Sequence, residues 1–224
     1  MALMEGDTNC RSRRRLTAAR LREGVAALSV ADKDLATVVA RFGAPPLWSR
    51  RPGYATLVQI ILEQQVSLTS AQATYNRLLQ KFVEITPDRF AHLTEPQVRG
   101  AGITRQKAGY CLGIARQIAD GTLDLRRIAR SDDPTAHQQL VNIRGIGPWT
   151  AGIYLLMALG RPNIWPDGDL ALASAAQQIK HLRQRPDIPQ LRRLAQRWVP
   201  WRAVAARILW HHYLSTRGGS PVQE

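Results

Sequence analysis

Apolar residues recur along this chain at helical spacing. Leu57, Ile60, Ile61 and Gln64 fall on one stripe, Ala108, Cys111, Leu112 and Ala115 on a second, Leu172, Ala175, Ala176 and Ile179 on a third, and Leu191, Leu194, Ala195 and Trp198 on a fourth. No comparable run of strict alternation occurs, so strands are not predicted. Helix starts are marked by Thr69-Ser70-Ala71-Gln72 as a capping box, by Asp133-Pro134 as N-cap and first-turn proline, and by Gly147-Pro148. Turn signals at Ala44-Pro45-Pro46, Thr86-Pro87-Asp88, Thr94-Glu95-Pro96 and Arg185-Pro186 keep the connections short. The pattern predicts an all-α protein of roughly ten helices in one body over residues 16–216. A basic arm over 1–15, with the run Arg11-Ser12-Arg13-Arg14-Arg15, precedes it, and a Gly, Ser and Pro tail over 217–224 follows.

Composition narrows the partners. The 224 residues carry 31 Lys and Arg against 17 Asp and Glu, a net charge of +14, which favours nucleic acid. Most of that charge is arginine, the lysines being Lys33, Lys81, Lys107 and Lys180. Cys10 and Cys111 are far apart without a CxxC spacing, which excludes a disulfide framework and a four-cysteine zinc or iron–sulfur site and fits a reducing cytosol. The apolar runs Leu57–Leu62 and Ala151–Leu159 fall short of the ~20 residues that span a bilayer, and no secretory h-region opens the chain. A cytoplasmic, monomeric protein with no membrane partner is expected. His92, His137, His181, His211 and His212 lack metal-ligand spacing with acids or cysteines, and neither a cofactor nor a catalytic metal is expected.

The most informative segment runs from Leu140 through Asn142-Ile143-Arg144-Gly145-Ile146-Gly147-Pro148-Trp149-Thr150 to Ala151. A helix from Pro134 should end near Asn142, two glycines free the backbone to turn, and Pro148 should open an apolar helix through Leu159. Such a helix-hairpin-helix brings main-chain amides and a helix dipole to a phosphate without a Cβ in the way, and so grips DNA backbone without reading bases. An ordinary αα-hairpin is the plain reading of a bare GxG, but the longer spacing together with the charge favours DNA.

Downstream lies Trp165-Pro166-Asp167-Gly168-Asp169-Leu170-Ala171-Leu172. The turn places Asp169 at a helix N-terminus, where most aspartates are caps. Its position 22 residues after Gly147 would return it to the DNA-facing side, and an anion repelled by phosphate suggests chemistry.

Taken with Ile61-Leu62-Glu63-Gln64-Gln65-Val66-Ser67 and with Arg197-Trp198-Val199-Pro200-Trp201-Arg202 followed by Trp210, these motifs resemble the helix-hairpin-helix, Gly/Pro-Asp superfamily of DNA glycosylases. Within it the resemblance is to the alkylation-repair 3-methyladenine DNA glycosylase II group, over about Pro52 to Tyr213. It implies a two-lobed helical fold with a cleft between the lobes. It also implies excision of alkylated bases of the 3-methyladenine and 7-methylguanine type from double-stranded DNA, with Asp169 as catalytic acid and Asp167 as second candidate. Lyase-active members carry a lysine where this chain has Trp149, which implies a monofunctional enzyme that uses water. Trp149, Trp210, Gln64, Leu68, Ile153 and Leu170 are implied in the substrate pocket, where aromatic faces attract a cationic base. Ile143, Arg144, Gly145, Gly147 and Thr150, with Gln65 near the wedge and Ser67, are implied in DNA contact, and related hairpins imply a monovalent cation near the Ile143 carbonyl. Ile153 and the small Ala171 point to an open pocket of broad tolerance, whereas Trp198 reads as core and Trp201 leans the same way. Residues before Pro52 lack the length and strand pattern of the extra N-terminal domain of larger members, so a compact form is expected. The rival non-enzymatic reading is a helix-hairpin-helix DNA-binding module with Asp169 as a cap.

Overall fold

The computed structural model describes residues 15–217; the expected basic arm up to Arg14 and the tail from Gly218 lie outside the described residues. Every regular element among the described residues is helical, as the missing alternation required. No helix among them is long and apolar enough to cross a membrane.

The described chain divides into two compact units. The first comprises 15–49 and 159–217 and holds α1 (Ala18–Ala31), α2 (Lys33–Phe42), α11 (Leu170–Ile179), α12 (Ile188–Ala195), a 3-10 turn (Gln196–Trp198) and α13 (Arg202–Thr216). Its core is Leu21, Val25, Leu28, Leu35 and Val38 with Leu172, Ala175, Ala176, Leu191, Trp198 and the buried run Ala203–Trp210 of α13. A polar knot completes it. Lys180 Nζ, just past α11, reaches Asp32 at 2.6 Å and Asp34 at 2.8 Å, and Trp198 Nε1 donates to Asp32 Oδ2 at 2.8 Å. Asp32 is also the N-cap of α2, so one carboxylate joins a helix start, a helix end and a core indole.

The second unit spans 50–158. It holds α3 (Tyr54–Glu63), α4 (Leu68–Phe82), α5 (Pro87–Ala91), α6 (Glu95–Arg99), α7 (Arg105–Ala119), α8 (Leu125–Arg130), α9 (Asp133–Val141), α10 (Pro148–Ile153) and a π-helical segment, Tyr154–Ala158. α3 is buried on nearly all sides and packs on α4 and α7. Tyr54 Oη donates to the Cys111 carbonyl at 3.0 Å, and Tyr154 Oη accepts from the Gly53 amide at 3.0 Å. Arg50 forms a fork on Glu63, at 3.1 and 2.8 Å.

Two expected helix starts move. α4 is capped by Ser67, whose hydroxyl accepts from the Ser70 amide, rather than from Thr69, because the chain leaves the Gln65 turn extended at Ser67. α9 is capped by Asp132 through the Thr135 amide, which shifts Asp133 and Pro134 into the first turn. The Gly147-Pro148 boundary stands, with Gly147 as N-cap. The helix expected through Leu159 ends as α-helix at Ile153 and widens to π geometry through Ala158.

Candidate functional site

Two groups of expected site residues take shape, one in each unit.

In the first unit the Trp165-Pro166-Asp167-Gly168 turn delivers Asp169 as N-cap of α11. The residue is 8% exposed, and its Oδ1 accepts from the Leu172 amide at 2.9 Å and from Trp210 Nε1 at 3.3 Å. The sequence therefore placed Asp169 correctly as a cap, and the fold adds a second donor, an indole from 41 residues downstream in α13. Asp167, the second candidate, is instead gripped by Arg192, Nη2 to Oδ2 at 2.7 Å and Nε to Oδ1 at 3.3 Å. A guanidinium fork holds a carboxylate in one orientation, which suits Asp167 to bracing the turn.

A cavity of about 390 Å³ opens at the same turn, lined by Gly168, Asp169, Leu170 and Ala173 and faced by the segment from Arg185 to Leu191. Leu170 is 68% exposed beside it. None of the six tryptophans lines this cavity. The aromatic side of Asp169 is formed by Trp210, which meets Trp48 edge-on at 6.5 Å, and Trp48 in turn meets His211 at 6.4 Å. Trp48 was not anticipated. It follows Pro45-Pro46-Leu47 and holds φ at +45°, a left-handed conformation uncommon for a bulky residue, and no periodicity marks it. Trp198 is core, tilted against Trp165 at 5.6 Å, as expected.

In the second unit the hairpin is built as the glycine spacing implied, but its two glycines have different reasons. Gly145 holds φ at +94°, and a Cβ there would overlap the Tyr110 ring. Gly147 has φ −86° and ψ 178°, extended backbone open to any residue, and a Cβ would meet no protein atom within 4 Å. The turn closes through the Ile146 amide on the Ile143 carbonyl at 3.0 Å, and α10 starts without a side-chain cap. That internal bond uses part of the Ile143 oxygen expected from the resemblance to help hold a cation. Arg144 is exposed and Trp149 half-buried.

Gln64 is drawn into this hairpin. Its Nε2 donates to the Gly145 carbonyl at 3.0 Å and to Thr150 Oγ1 at 2.9 Å. Thr150, expected at DNA, is 2% exposed, and its hydroxyl serves Gln64. Ile153, expected on the pocket wall, is 3% exposed and packs in the core; a β-branched residue on the buried face of α10 is used for packing. Gln65, at φ +57°, is exposed, and so are Val66, Ser67 and Leu68.

A family model described as the HhH-GPD superfamily base excision DNA repair protein matches residues 58–201. The chain is similar to a Bacillus subtilis DNA-3-methyladenine glycosylase, 27% identical over 67% of this chain and 54% of that protein. It is similar also to Escherichia coli DNA-3-methyladenine glycosylase 2, 28% identical over 82% of this chain and 66% of that protein. The chain thus spans about half to two thirds of the length of these bacterial relatives. Among solved structures, the Schizosaccharomyces pombe 3-methyladenine DNA glycosylase in complex with abasic DNA shares the fold, with a TM-score of 0.74 at 21% identity over 87% of this chain and 97% of that one.

Proposed function

The chain belongs to the HhH-GPD superfamily of base excision DNA repair proteins, and from that premise we propose that it is a monofunctional DNA glycosylase that removes alkylated purines from duplex DNA. The observation that carries the reading is Asp169, a nearly buried carboxylate fixed by the start of α11 and by the Trp210 indole, at the edge of a cavity.

The chemistry follows from the groups. A purine methylated on a ring nitrogen is cationic in DNA and leaves readily once the base is extruded. The C1′–N bond breaks with its electron pair passing to the base, which departs neutral, and the sugar is left as an oxocarbenium-like cation. The Asp169 carboxylate complements that charge in a low-dielectric setting. A water oxygen then bonds to C1′, and its proton passes to Asp169 or to solvent. Indole faces attract the cationic base by about 0.5–2 kcal/mol, and this would favour lesions over ordinary bases; Trp210 and Trp48, which meet edge-on beside Asp169, are the rings offered for it. The hairpin holds the backbone through main chain at Gly147, and the exposed turn at Gln65 fills the gap left by the extruded nucleotide.

Lyase chemistry needs an amine for a Schiff base, and the position after Pro148 is Trp149. Duplexes carrying single 3-methyladenine, 7-methylguanine or ethenoadenine lesions test the reading. The wild type should release base without nicking the strand, and Asp169→Asn should slow release by ~10²–10³-fold with duplex affinity kept or raised. Unchanged turnover in Asp169→Asn would overturn the mechanism, and nicking without heat or alkali would overturn the monofunctional assignment.

A further inference from the structure

Helix α7 carries Lys107 and Tyr110 three residues apart, and therefore on one face. Each supports a different loop of the second unit. Lys107 Nζ donates to the Leu62 carbonyl at 2.8 Å and to the Gln64 carbonyl at 2.7 Å. The last carbonyls of a helix lack partners within it, and a cation at that end is favoured by the dipole; α3 ends at Glu63, so the ammonium closes it. The same bond fixes the main chain at Gln64, whose side-chain amide reaches the Gly145 carbonyl and Thr150 Oγ1. The Tyr110 ring lies where a Gly145 Cβ would be, and its hydroxyl accepts from Gln106 Nε2 at 2.7 Å. The contacts close a ring running from α7 to the Gln64 turn, across to the hairpin, and back to α7.

We propose that Lys107 is a positioning residue that sets the Gln65 turn in register with the hairpin, so that the turn entering the duplex and the loop gripping its backbone meet DNA as one preformed surface. Neither a neutral side chain nor a shorter one makes both bonds. Burial lowers the Lys107 pKa, and the neighbouring Cys111 opposes that only in part; this is the cost of drawing an ammonium inward to reach main-chain oxygens. The inference rests on the glycosylase reading for the step it affects, extrusion of the base. A loosened support of this kind typically costs a bound reaction far more than it costs simple affinity.

The test reads extrusion apart from chemistry, by 2-aminopurine fluorescence beside the lesion in an Asp169→Asn background, and base release in the wild-type background. Lys107→Met should lower both by about tenfold or more, with affinity for undamaged duplex held within about twofold. Lys107→Arg should recover much of the loss, since it keeps a cation able to reach a carbonyl. Leu112→Ala, a core truncation in the same helix, is the control for lost stability. If Lys107→Met extrudes like its parent, or if Leu112→Ala with a similar melting temperature reproduces the loss, Lys107 is only structural and the inference fails. A parent protein that extrudes but never releases a base sinks the reaction reading alone, and Lys107 is then judged on extrusion. One that does neither sinks both.

Discussion

The Trp210 indole and the Leu172 amide both donate to Oδ1 of Asp169, at 3.3 and 2.9 Å. The carboxylate is thereby held by two helices, α11 from its start and α13 from its interior, and its orientation does not depend on a flexible side chain. Trp210→Phe keeps a ring in the core position and removes the N–H. Single-turnover base release should fall roughly 3–10-fold, the worth of one hydrogen bond to a charged group, while duplex affinity stays constant. An unchanged rate would mean that the α11 cap alone orients Asp169.

The two hairpin glycines should separate folding from binding. Gly145→Ala meets both a left-handed φ and the Tyr110 ring, and should lose about 2 kcal/mol or more of stability. Gly147→Ala meets neither; thermal melting should move by no more than about 0.5 kcal/mol. Its duplex affinity should nevertheless fall about tenfold, because in the proposed DNA grip the added methyl would stand between the main chain and a phosphate. Equal melting of the two variants would refute the distinction.

Much of this was legible in the sequence and some was not, for physical reasons that differ by residue. The stripes of α3, α7, α11 and α12 and the Gly147-Pro148 start were readable because they are local. The caps of α4 and α9 slipped by one or two residues because neighbouring Ser, Thr and Asp are nearly interchangeable as caps. α5, α6 and α8, of five or six residues, hold too few turns to show a period. Asp169 was visible as a cap, but its Trp210 partner was not, since nothing local pairs residues 41 apart. Trp48 and Lys107 were missed for the same reason, although scarcity was a signal for the lysine. In a chain that uses arginine almost throughout, Lys81, Lys107 and Lys180 each place a compact ammonium on main-chain or carboxylate oxygens.

The knot at Asp32 should govern the acid limit of the fold. Burial alone would raise the Asp32 pKa, but the hydrogen bonds from Lys180 and Trp198 and the Lys180 charge outweigh it, so the carboxyl sits below its ordinary 3.8. A depressed folded value means the contribution is complete above the unfolded pKa and is lost as pH falls through the folded one. Lys180→Met should cost about 3 kcal/mol near neutrality by stranding the carboxylate. Urea unfolding from pH 7 down to about 2 should also show a shallower acid decline than in wild type, because the Lys180 contribution that held the Asp32 carboxyl down is gone.

Arg144 should report the proposed phosphate contact. It is exposed on the hairpin, and Arg144→Ala should flatten the slope of log affinity against log salt by about 0.9 across damaged and undamaged duplexes alike. A sequence- or lesion-dependent loss would place Arg144 elsewhere in recognition.

The π-helical segment Tyr154–Ala158 has a bearing on how this helix can vary. A π turn accommodates an extra residue within an otherwise α-helical run. Deleting one residue between Tyr154 and Met157 should draw the segment back toward α geometry and change the phase of Met157 relative to α10. The Met157 carbonyl could then no longer accept from the Arg50 amide while Tyr154 meets the Gly53 amide. Substitutions along this stretch keep those two ties in phase, whereas a change of length breaks one of them, so sequences that share this architecture should differ here in residue type and agree in residue number.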